Sequence, residues 1–371
     1  MTVLQYRGAR VPLWVRPRRH PWWTVGSPAG RVTPRRAHPY AVPMQQRAFG
    51  RTGRSVSELG VGMWGMGGGI GGWTGADDRQ SLAVLQAAVD AGVTFFDSAL
   101  VYGAGHSDEL LGQLARANPD RDLLLASKIP PKNRQWPARP GDRIRDVFPP
   151  DHVRASVHAI LRRAKVSALG LVQFHVWQDE WADDPGWQRA ADDLRREGLA
   201  RHVGISVNRW EPANVLRTLR TGLVDAVQVV YNVFDQAAED ELFPACRELG
   251  VAVIARVPLD EGSLTGTLTL DSRWPEADWR NAYFGAANLR ATIPRVDALR
   301  PLVPEGQTLA QLALRFILSH PDVTTVIPGM RRPEHLAANV AAAAAGPLPP
   351  DLLGALRGHR WDGHTPRGSL S

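Results

Sequence analysis

Cysteine is almost absent from this sequence of 371 residues, in which Cys246 is the single thiol. One thiol excludes an internal disulfide framework and a cysteine-based zinc site. It is typical of a reducing compartment, so a cytoplasmic protein is expected. The sequence also lacks an apolar run of about 18 residues, and no segment is therefore expected to span a membrane. Because no cluster of metal-ligating residues and no motif for a covalently held cofactor is visible, no bound metal is predicted.

Acidic residues are absent from residues 1–43, which carry eight arginines. Since the whole chain has a formal charge of +7, subtracting these eight leaves −1 for residues 44–371, which gives no reason to expect nucleic-acid binding by that part. The prolines and the missing apolar core of residues 1–43 fit neither a transit helix nor a secretory signal. We predict that residues 1–43 are a disordered basic tail or lie upstream of a natural start at Met44. The alternative is a basic arm that binds nucleic acid or a membrane surface.

Short apolar strands and amphipathic helices alternate after a hairpin predicted for residues 47–59. Eight strand–helix units follow, which favours an α/β fold of the closed (β/α)8 TIM-barrel type over an open, doubly wound sheet. We therefore predict that residues 44–371 form a single barrel domain. Two long loops, at residues 129–150 after the third barrel strand and 257–291 after the seventh, are expected to be lids or binding walls.

Four ionisable side chains follow three neighbouring predicted strands: Asp97 and Tyr102, Lys128, and His175. A tyrosine has a pKa near 10, but an ammonium about 4 Å away stabilises the phenolate by roughly 4 kcal/mol at an effective dielectric constant near 20. We therefore expect Lys128 to lower the pKa of Tyr102, Asp97 to keep Lys128 charged, and His175 to share a hydrogen bond with a substrate oxygen. This group suits proton delivery to a carbonyl oxygen, with the electrons coming from a soluble hydride donor.

The segment Phe96–Gly103, the pair Ser127–Lys128 and the strand-end His175 resemble the motifs of the aldo-keto reductase superfamily, including its branch of potassium-channel β-subunit-like proteins. The similarity runs from about residue 46 to residue 360. It implies a (β/α)8 barrel that reversibly reduces a carbonyl substrate with NADPH, with Tyr102 as the general acid. The alternative is a subunit that binds the cofactor and senses redox state with little turnover.

The same resemblance implies where the nicotinamide end of the cofactor binds. Ser206, Asn208 and Gln228 would bind the carboxamide, and Tyr231 would stack on the ring through its aromatic face. A loop that folds over the pyrophosphate follows the seventh barrel strand. The other contacts implied for this end of the cofactor and for that loop are Gly65, Met66, Arg256, Pro258, Leu259, Gly262, Ser263 and Leu264.

The adenosine end is assigned to the segment that follows the last barrel strand. Gly329, Arg331 and Arg332 precede a helix that begins at Pro333, and such a terminus with two guanidinium groups suits a 2′-phosphate. NADP(H) is therefore expected rather than NAD(H). The resemblance adds His335 and Asn339 to these contacts.

Glycine and tryptophan mark the loop after the first barrel strand. Its glycines lack the spacing of a phosphate-binding motif, so we interpret it as a flexible loop near the nicotinamide. Trp64 and Trp73 in this loop, with Trp177, are predicted to line an aromatic pocket for a flat or sugar-like carbonyl compound. The alternative is that the tryptophans only pack at the rim. The sequence favours neither a monomer nor a homo-oligomer.

Overall fold

A computed structural model of the chain describes residues 44–68, 73–276 and 278–362. The tail predicted at residues 1–43 lies outside these ranges, as do residues 69–72 of the glycine-rich loop. The predicted hairpin is confirmed, because β1 (Gln46–Ala48) pairs antiparallel with β2 (Ser55–Ser57).

Eight parallel strands form the predicted barrel. Each strand pairs with the next one along the chain. The last strand returns to the first through bridges from Leu59 to Val326 and from Gly62 to Gly329, which close the sheet. The strands are β3 (Val61–Gly62), β4 (Phe95–Asp97), β5 (Leu124–Ile129), β6 (Leu169–Phe174), β7 (Ala200–Ser206), β8 (Ala226–Val230), β9 (Ala252–Arg256) and β10 (Thr325–Val326).

Helices cover the outside of the barrel and parts of its long loops. The α-helices of the described ranges are α1 (Trp64–Gly67), α2 (Asp78–Asp90), α3 (His106–Ala117), α4 (Ile144–Val147), α5 (Pro150–Ala164), α6 (Pro185–Arg196), α7 (Leu216–Arg220), α8 (Leu242–Leu249), α9 (Arg280–Tyr283), α10 (Ala286–Leu299), α11 (Leu309–Leu318), α12 (Pro333–Ala344) and α13 (Pro350–Arg357). Short 3₁₀ helices include Tyr102–Gly105 and Asp260–Thr265. None of the helices in these ranges is both long and apolar enough to cross a lipid bilayer.

The hairpin lies at the end of the barrel where the strands begin. Phe49, between β1 and β2, is fully buried in one apolar cluster with Phe95 of β4 and Ile254 of β9. Gly50 has a φ of 54°, and a Cβ there would lie 2.5 Å from the Gly250 carbonyl oxygen, just before β9 begins. Because the hairpin covers this end, the opposite end, where the strands terminate, is the end left for a site.

The long loop after β9 differs from its prediction. We expect an irregular segment to residue 291, but α10 already begins at Ala286 and continues through Pro294. A proline inside a helical pattern argues against a helix, and here burial of Leu289, Val296 and Leu299 supports the helix despite it. The helix predicted to begin at Pro333 does so, but α12 ends before Gly346, which has a φ of 70°, and the separate helix α13 follows it.

Candidate active site

The four ionisable side chains predicted to meet do so at the carboxyl end of the barrel. β4 ends at Asp97, Lys128 lies in register with Gln173 near the end of β5, and His175 directly follows β6. Tyr102 begins the 3₁₀ segment after β4, and a Cβ on Gly103, whose φ is 59°, would overlap the backbone of Gly67. A glycine after Tyr102 therefore lets the two loops approach each other closely.

Lys128 joins the carboxylate to the phenol. Its Nζ donates to Asp97 Oδ2 at 2.5 Å, to the Ser98 carbonyl oxygen at 2.8 Å and to Tyr102 Oη at 3.3 Å. Burial by itself would lower the pKa of Lys128, but the Asp97 carboxylate and the Tyr102 hydroxyl together outweigh it, so the pKa is raised. The side chain is therefore a buried cation with all three of its donors used.

Two glutamines complete the hydrogen bonding of Asp97. Gln173 Nε2 and Gln228 Nε2 each donate to Asp97 Oδ1 at 3.0 Å, and all three side chains are buried. Charge-assisted hydrogen bonds of this kind stabilise a carboxylate inside a protein. Gln173 is a site residue that the sequence analysis misses, although a glutamine within the apolar run of β6 is the signal that could have found it.

Lys128 lowers the pKa of Tyr102, as expected, but the net pKa is raised. Burial raises the pKa of Tyr102 more than the Lys128 and Arg256 cations lower it, so the pKa lies above its usual value of 10. The prediction counted the attraction of the cation and left out the cost of removing a phenolate from water. Tyr102 therefore holds its proton at neutral pH, as a group that must donate one requires.

His175 is a neutral imidazole beside the phenol. Burial lowers its pKa well below 6.5, and the Lys128 and Arg256 cations lower it further. Its ring centroid is 5.9 Å from that of Tyr102 and 4.5 Å from that of Trp136, which meets it edge-on. Its Nδ1 is buried and has no hydrogen-bond partner among the described residues, so this polar atom is available to a ligand.

Three tryptophan rings pack together next to Tyr102. Trp64 lies 6.0 Å from Trp73, 4.9 Å from Trp279 and 6.3 Å from Tyr102, measured between ring centroids. Trp279 and Trp136 belong to the two long loops, so both loops reach the rim where the ionisable group lies. Trp279 Nε1 is buried without a partner among the described residues.

The assignment of Trp177 to the substrate pocket is wrong. Its ring is fully buried between Phe174, Trp181 and Trp187, and its Nε1 donates to Thr218 Oγ1 at 2.9 Å. Trp177 therefore stabilises the layer between the barrel and its outer helices and has no access to the rim.

The predicted stacking of Tyr231 on a nicotinamide is also wrong. Tyr231 Oη donates to Glu239 Oε1 at 2.5 Å, and the ring lies 5.7 Å from Phe316 in α11. Side chains alternate along a strand. Tyr231 therefore faces the outer helices, because it comes three residues after the inward-facing Gln228.

Two of the predicted carboxamide ligands lie together and the third does not. Ser206, the last residue of β7, is in register with Gln228 in the middle of β8. Asn208 instead has its amide engaged outside the barrel, where Nδ2 donates to the Ala138 carbonyl at 3.2 Å and to Glu211 Oε2 at 3.0 Å. Its predicted contact is wrong, because the chain has already turned away from the barrel axis beyond the end of β7.

The loop after β9 is tied across the rim by an arginine that the sequence analysis misses. Arg209, which follows β7, donates to Glu261 Oε1 at 2.9 Å and to Tyr283 Oη at 2.6 Å. Ser263 is fully buried and donates to Asp260 Oδ2 at 2.6 Å. Of the other predicted contacts in this loop, Pro258 and Leu264 are buried, whereas Leu259 and Gly262 are partly exposed.

The residues predicted for the adenosine end lie between α1 and α12. Arg331 packs against Gly65, where a Cβ would lie 3.1 Å from Arg331 Cδ, and its Nη1 donates to the Thr74 carbonyl at 2.8 Å. Arg332 precedes α12 with an exposed side chain. The remaining members of the set are the exposed Gly329 and His335 and the buried Asn339. Met66, predicted for the nicotinamide end, is buried in α1.

A second buried carboxyl group lies close to the four ionisable residues. Asp108 is fully buried in the first turn of α3 and accepts a hydrogen bond from Ser127 Oγ at 2.8 Å, next to Lys128. Its other oxygen, Oδ2, has no partner among the described residues. Burial raises the pKa of Asp108 from 3.8 to about 6.

Asp108→Asn is expected to change how stability depends on pH. Because the pKa is raised on folding, the stability that the protonated carboxyl contributes is present below about pH 4 and is lost as the pH rises through about 6. The loss is about 3 kcal/mol at most. Asparagine keeps the acceptor for Ser127 without this titration. Relative to the wild type, the variant should therefore gain stability between pH 4 and pH 7.5, as measured by urea unfolding. The exposed Asp151→Asn is the control, and a gain independent of pH would contradict the expectation.

Comparisons with known proteins agree with this geometry. The model of the aldo/keto reductase family matches residues 58–360. The chain is 28% identical to the NADH-specific methylglyoxal reductase of Escherichia coli, with 81% of this chain and 93% of that protein covered. It is 29% identical to a probable voltage-gated potassium channel subunit beta of Oryza sativa, with 82% and 93% covered. A holo-form aldo-keto reductase structure from Bacillus halodurans has a TM-score of 0.67 at 24% identity, covers 86% of this chain and 97% of its own, and confirms the barrel.

Proposed function

Because the chain belongs to the aldo/keto reductase family of NAD(P)-dependent oxidoreductases, we propose that it reduces an aldehyde or ketone to an alcohol with NADPH. Tyr102 acts as the general acid. The observation that carries this proposal is the contact of Lys128 Nζ with both Asp97 Oδ2 and Tyr102 Oη, at 2.5 and 3.3 Å. Those contacts lie beside a neutral His175 with an unpartnered Nδ1.

Each of the four side chains has a distinct part in the reaction. The dinucleotide, when bound, supplies a hydride to the carbonyl carbon. An alkoxide is a stronger base than a phenolate, so Tyr102 gives its proton to the substrate oxygen although its own pKa is high. Lys128 stabilises the phenolate that remains, and Asp97 keeps Lys128 charged. The neutral imidazole of His175 orients the carbonyl oxygen by a hydrogen bond.

The residues present fit a dinucleotide along the rim. Arg256 Nε and His175 Nδ1 are buried polar atoms without partners among the described residues, and a Cβ on Gly329 would meet no atom within 4 Å. We assign Ser206 and Gln228 to the nicotinamide end and the loop after β9 to the pyrophosphate. Arg331 and Arg332 at the start of α12 favour a 2′-phosphate and hence NADPH.

The tryptophan rings beside Tyr102 favour a flat or sugar-like carbonyl substrate. Trp64, Trp73 and Trp279 place large apolar faces beside Tyr102, and the unpartnered Trp279 Nε1 supplies a hydrogen-bond donor. We expect the enzyme to act in the cytoplasm, since its single thiol, Cys246, is buried and reduced.

A panel of aldehydes and ketones, followed at the absorbance of NADPH and of NADH, tests the proposal. We expect turnover with at least one carbonyl compound and a higher kcat/KM with NADPH. Turnover with NADH alone, as the name of the Escherichia coli relative states for that protein, would contradict the cofactor assignment. The potassium-channel relative favours a second candidate, a regulatory subunit, for which NADPH would bind and no carbonyl compound would be reduced.

A further inference from the structure

Arg256 is a partly buried cation at the end of β9 whose charge is poorly compensated. Its Nη2 donates to the Val207 carbonyl at 3.0 Å, and its Nε is buried without a partner among the described residues. Burial and the neighbouring Arg209 cation lower its pKa from 12.5 to about 10. A lowered pKa means that the surroundings of Arg256 destabilise its positive charge.

The guanidinium lies at the same rim of the barrel as the reacting groups. It lies close enough to Tyr102 and His175 to lower the pKa of each side chain. Its bond to Val207 spans from the end of β9 to the end of β7, across the end of the strand that carries Gln228. Arg256 therefore lies on the side of the barrel mouth where β7 ends at Ser206 and where β8, which carries Gln228, ends at Val230.

The chemistry of hydride transfer requires the donor ring to lie in the same small space. The carbonyl oxygen must come within about 3 Å of Tyr102 Oη to receive its proton. The hydride donor must approach the attached carbon to about 3–3.5 Å. These two limits place the nicotinamide within a few ångströms of Tyr102, where Arg256 is a neighbouring charge.

We propose that Arg256 lies against the nicotinamide ring and makes the site bind the reduced cofactor more tightly than the oxidised one. This inference rests on the proposed function. The reduced ring is uncharged and the oxidised ring is a cation, so a partly buried guanidinium repels only the oxidised form. During turnover the same cation disfavours positive charge on the ring but stabilises the phenolate of Tyr102. The two effects oppose each other in the hydride step, and the difference is therefore seen most directly in binding.

The experiment measures the dissociation constants of NADPH and NADP⁺ for the full chain by fluorescence titration. We expect the wild type to bind NADP⁺ at least tenfold more weakly than NADPH. Arg256→Gln should lower the ratio of the NADP⁺ dissociation constant to the NADPH dissociation constant at least tenfold. This change corresponds to about 30 mV in the reduction potential of the bound couple. Arg256→Lys keeps the charge and should preserve most of the ratio. Arg331→Gln, at the phosphate end, should weaken both forms equally.

Several outcomes would overturn the inference. The charge would not select the redox form if the wild type bound NADP⁺ and NADPH equally well. The same would follow if a folded Arg256→Gln variant kept the wild-type ratio of the two dissociation constants, or if Arg256→Lys lost it. An unchanged ratio with a raised KM for carboxylate-bearing carbonyl substrates only would assign Arg256 to the substrate. If Arg256→Gln does not fold, Arg256→Met gives the same comparison. Failure of the wild type to bind either form would instead refute the proposed function.

Discussion

Tyr102→Phe is expected to lower kcat for carbonyl reduction by about 10²–10⁴-fold, the usual contribution of a positioned general acid. The substitution removes the hydroxyl that Lys128 Nζ contacts at 3.3 Å and keeps the ring that packs 6.3 Å from Trp64. The affinity for NADPH should therefore change little. Steady-state kinetics, together with a fluorescence titration of NADPH, separate the lost proton transfer from a lost binding site.

Tyr231→Phe is the matched control, because it makes the same chemical change at a buried tyrosine that faces the outer helices. Its lost bond to Glu239 should cost about 1 kcal/mol of stability and leave kcat within twofold of the wild type. Wild-type turnover in Tyr102→Phe would contradict the mechanism. Equal losses of kcat in both variants would show that the effect comes from folding instead of proton donation.

Local sequence predicts the barrel and the ionisable group for a physical reason. A parallel barrel brings the ends of all its strands to one rim, so Asp97, Lys128 and His175 are brought together once the strands are recognised. Pairing in register then places Lys128 beside Gln173 and Ser206 beside Gln228. Pairing between the strands therefore brings residues that are far apart in the sequence together in one site.

Side-chain direction beyond a strand end is not encoded in that pattern. Tyr231 follows its strand as closely as His175 does, and Asn208 lies one residue further on, yet both face outward. Trp177 shows the same limit, since a tryptophan three residues past a strand packs equally well in the outer layer. The pKa of Tyr102 could not be predicted because it depends on burial, which the sequence gives only through the complete fold.

Lys128→Met is expected to destabilise the protein by about 3–5 kcal/mol, because it leaves the Asp97 carboxylate buried without its counter-charge. Methionine has a similar length and no charge. Gln173 and Gln228 still donate to Asp97 Oδ1, but Oδ2 loses the Nζ contact at 2.5 Å. Turnover should fall as well, since the phenolate of Tyr102 would lose the cation that stabilises it. Urea unfolding measures the first effect and steady-state kinetics the second.

Asp97→Asn and the double variant separate charge from packing. Removing the carboxylate together with the ammonium leaves neither charge unpaired, so the double variant should be more stable than Lys128→Met alone. The coupling energy of the cycle is expected to be at least 1 kcal/mol, and additive losses would contradict the buried ion pair. Turnover should stay low in the double variant, because the cation next to Tyr102 is still missing. Recovered stability without recovered activity would show that the pair tolerates replacement as a structural element, whereas its ammonium is required for the chemistry.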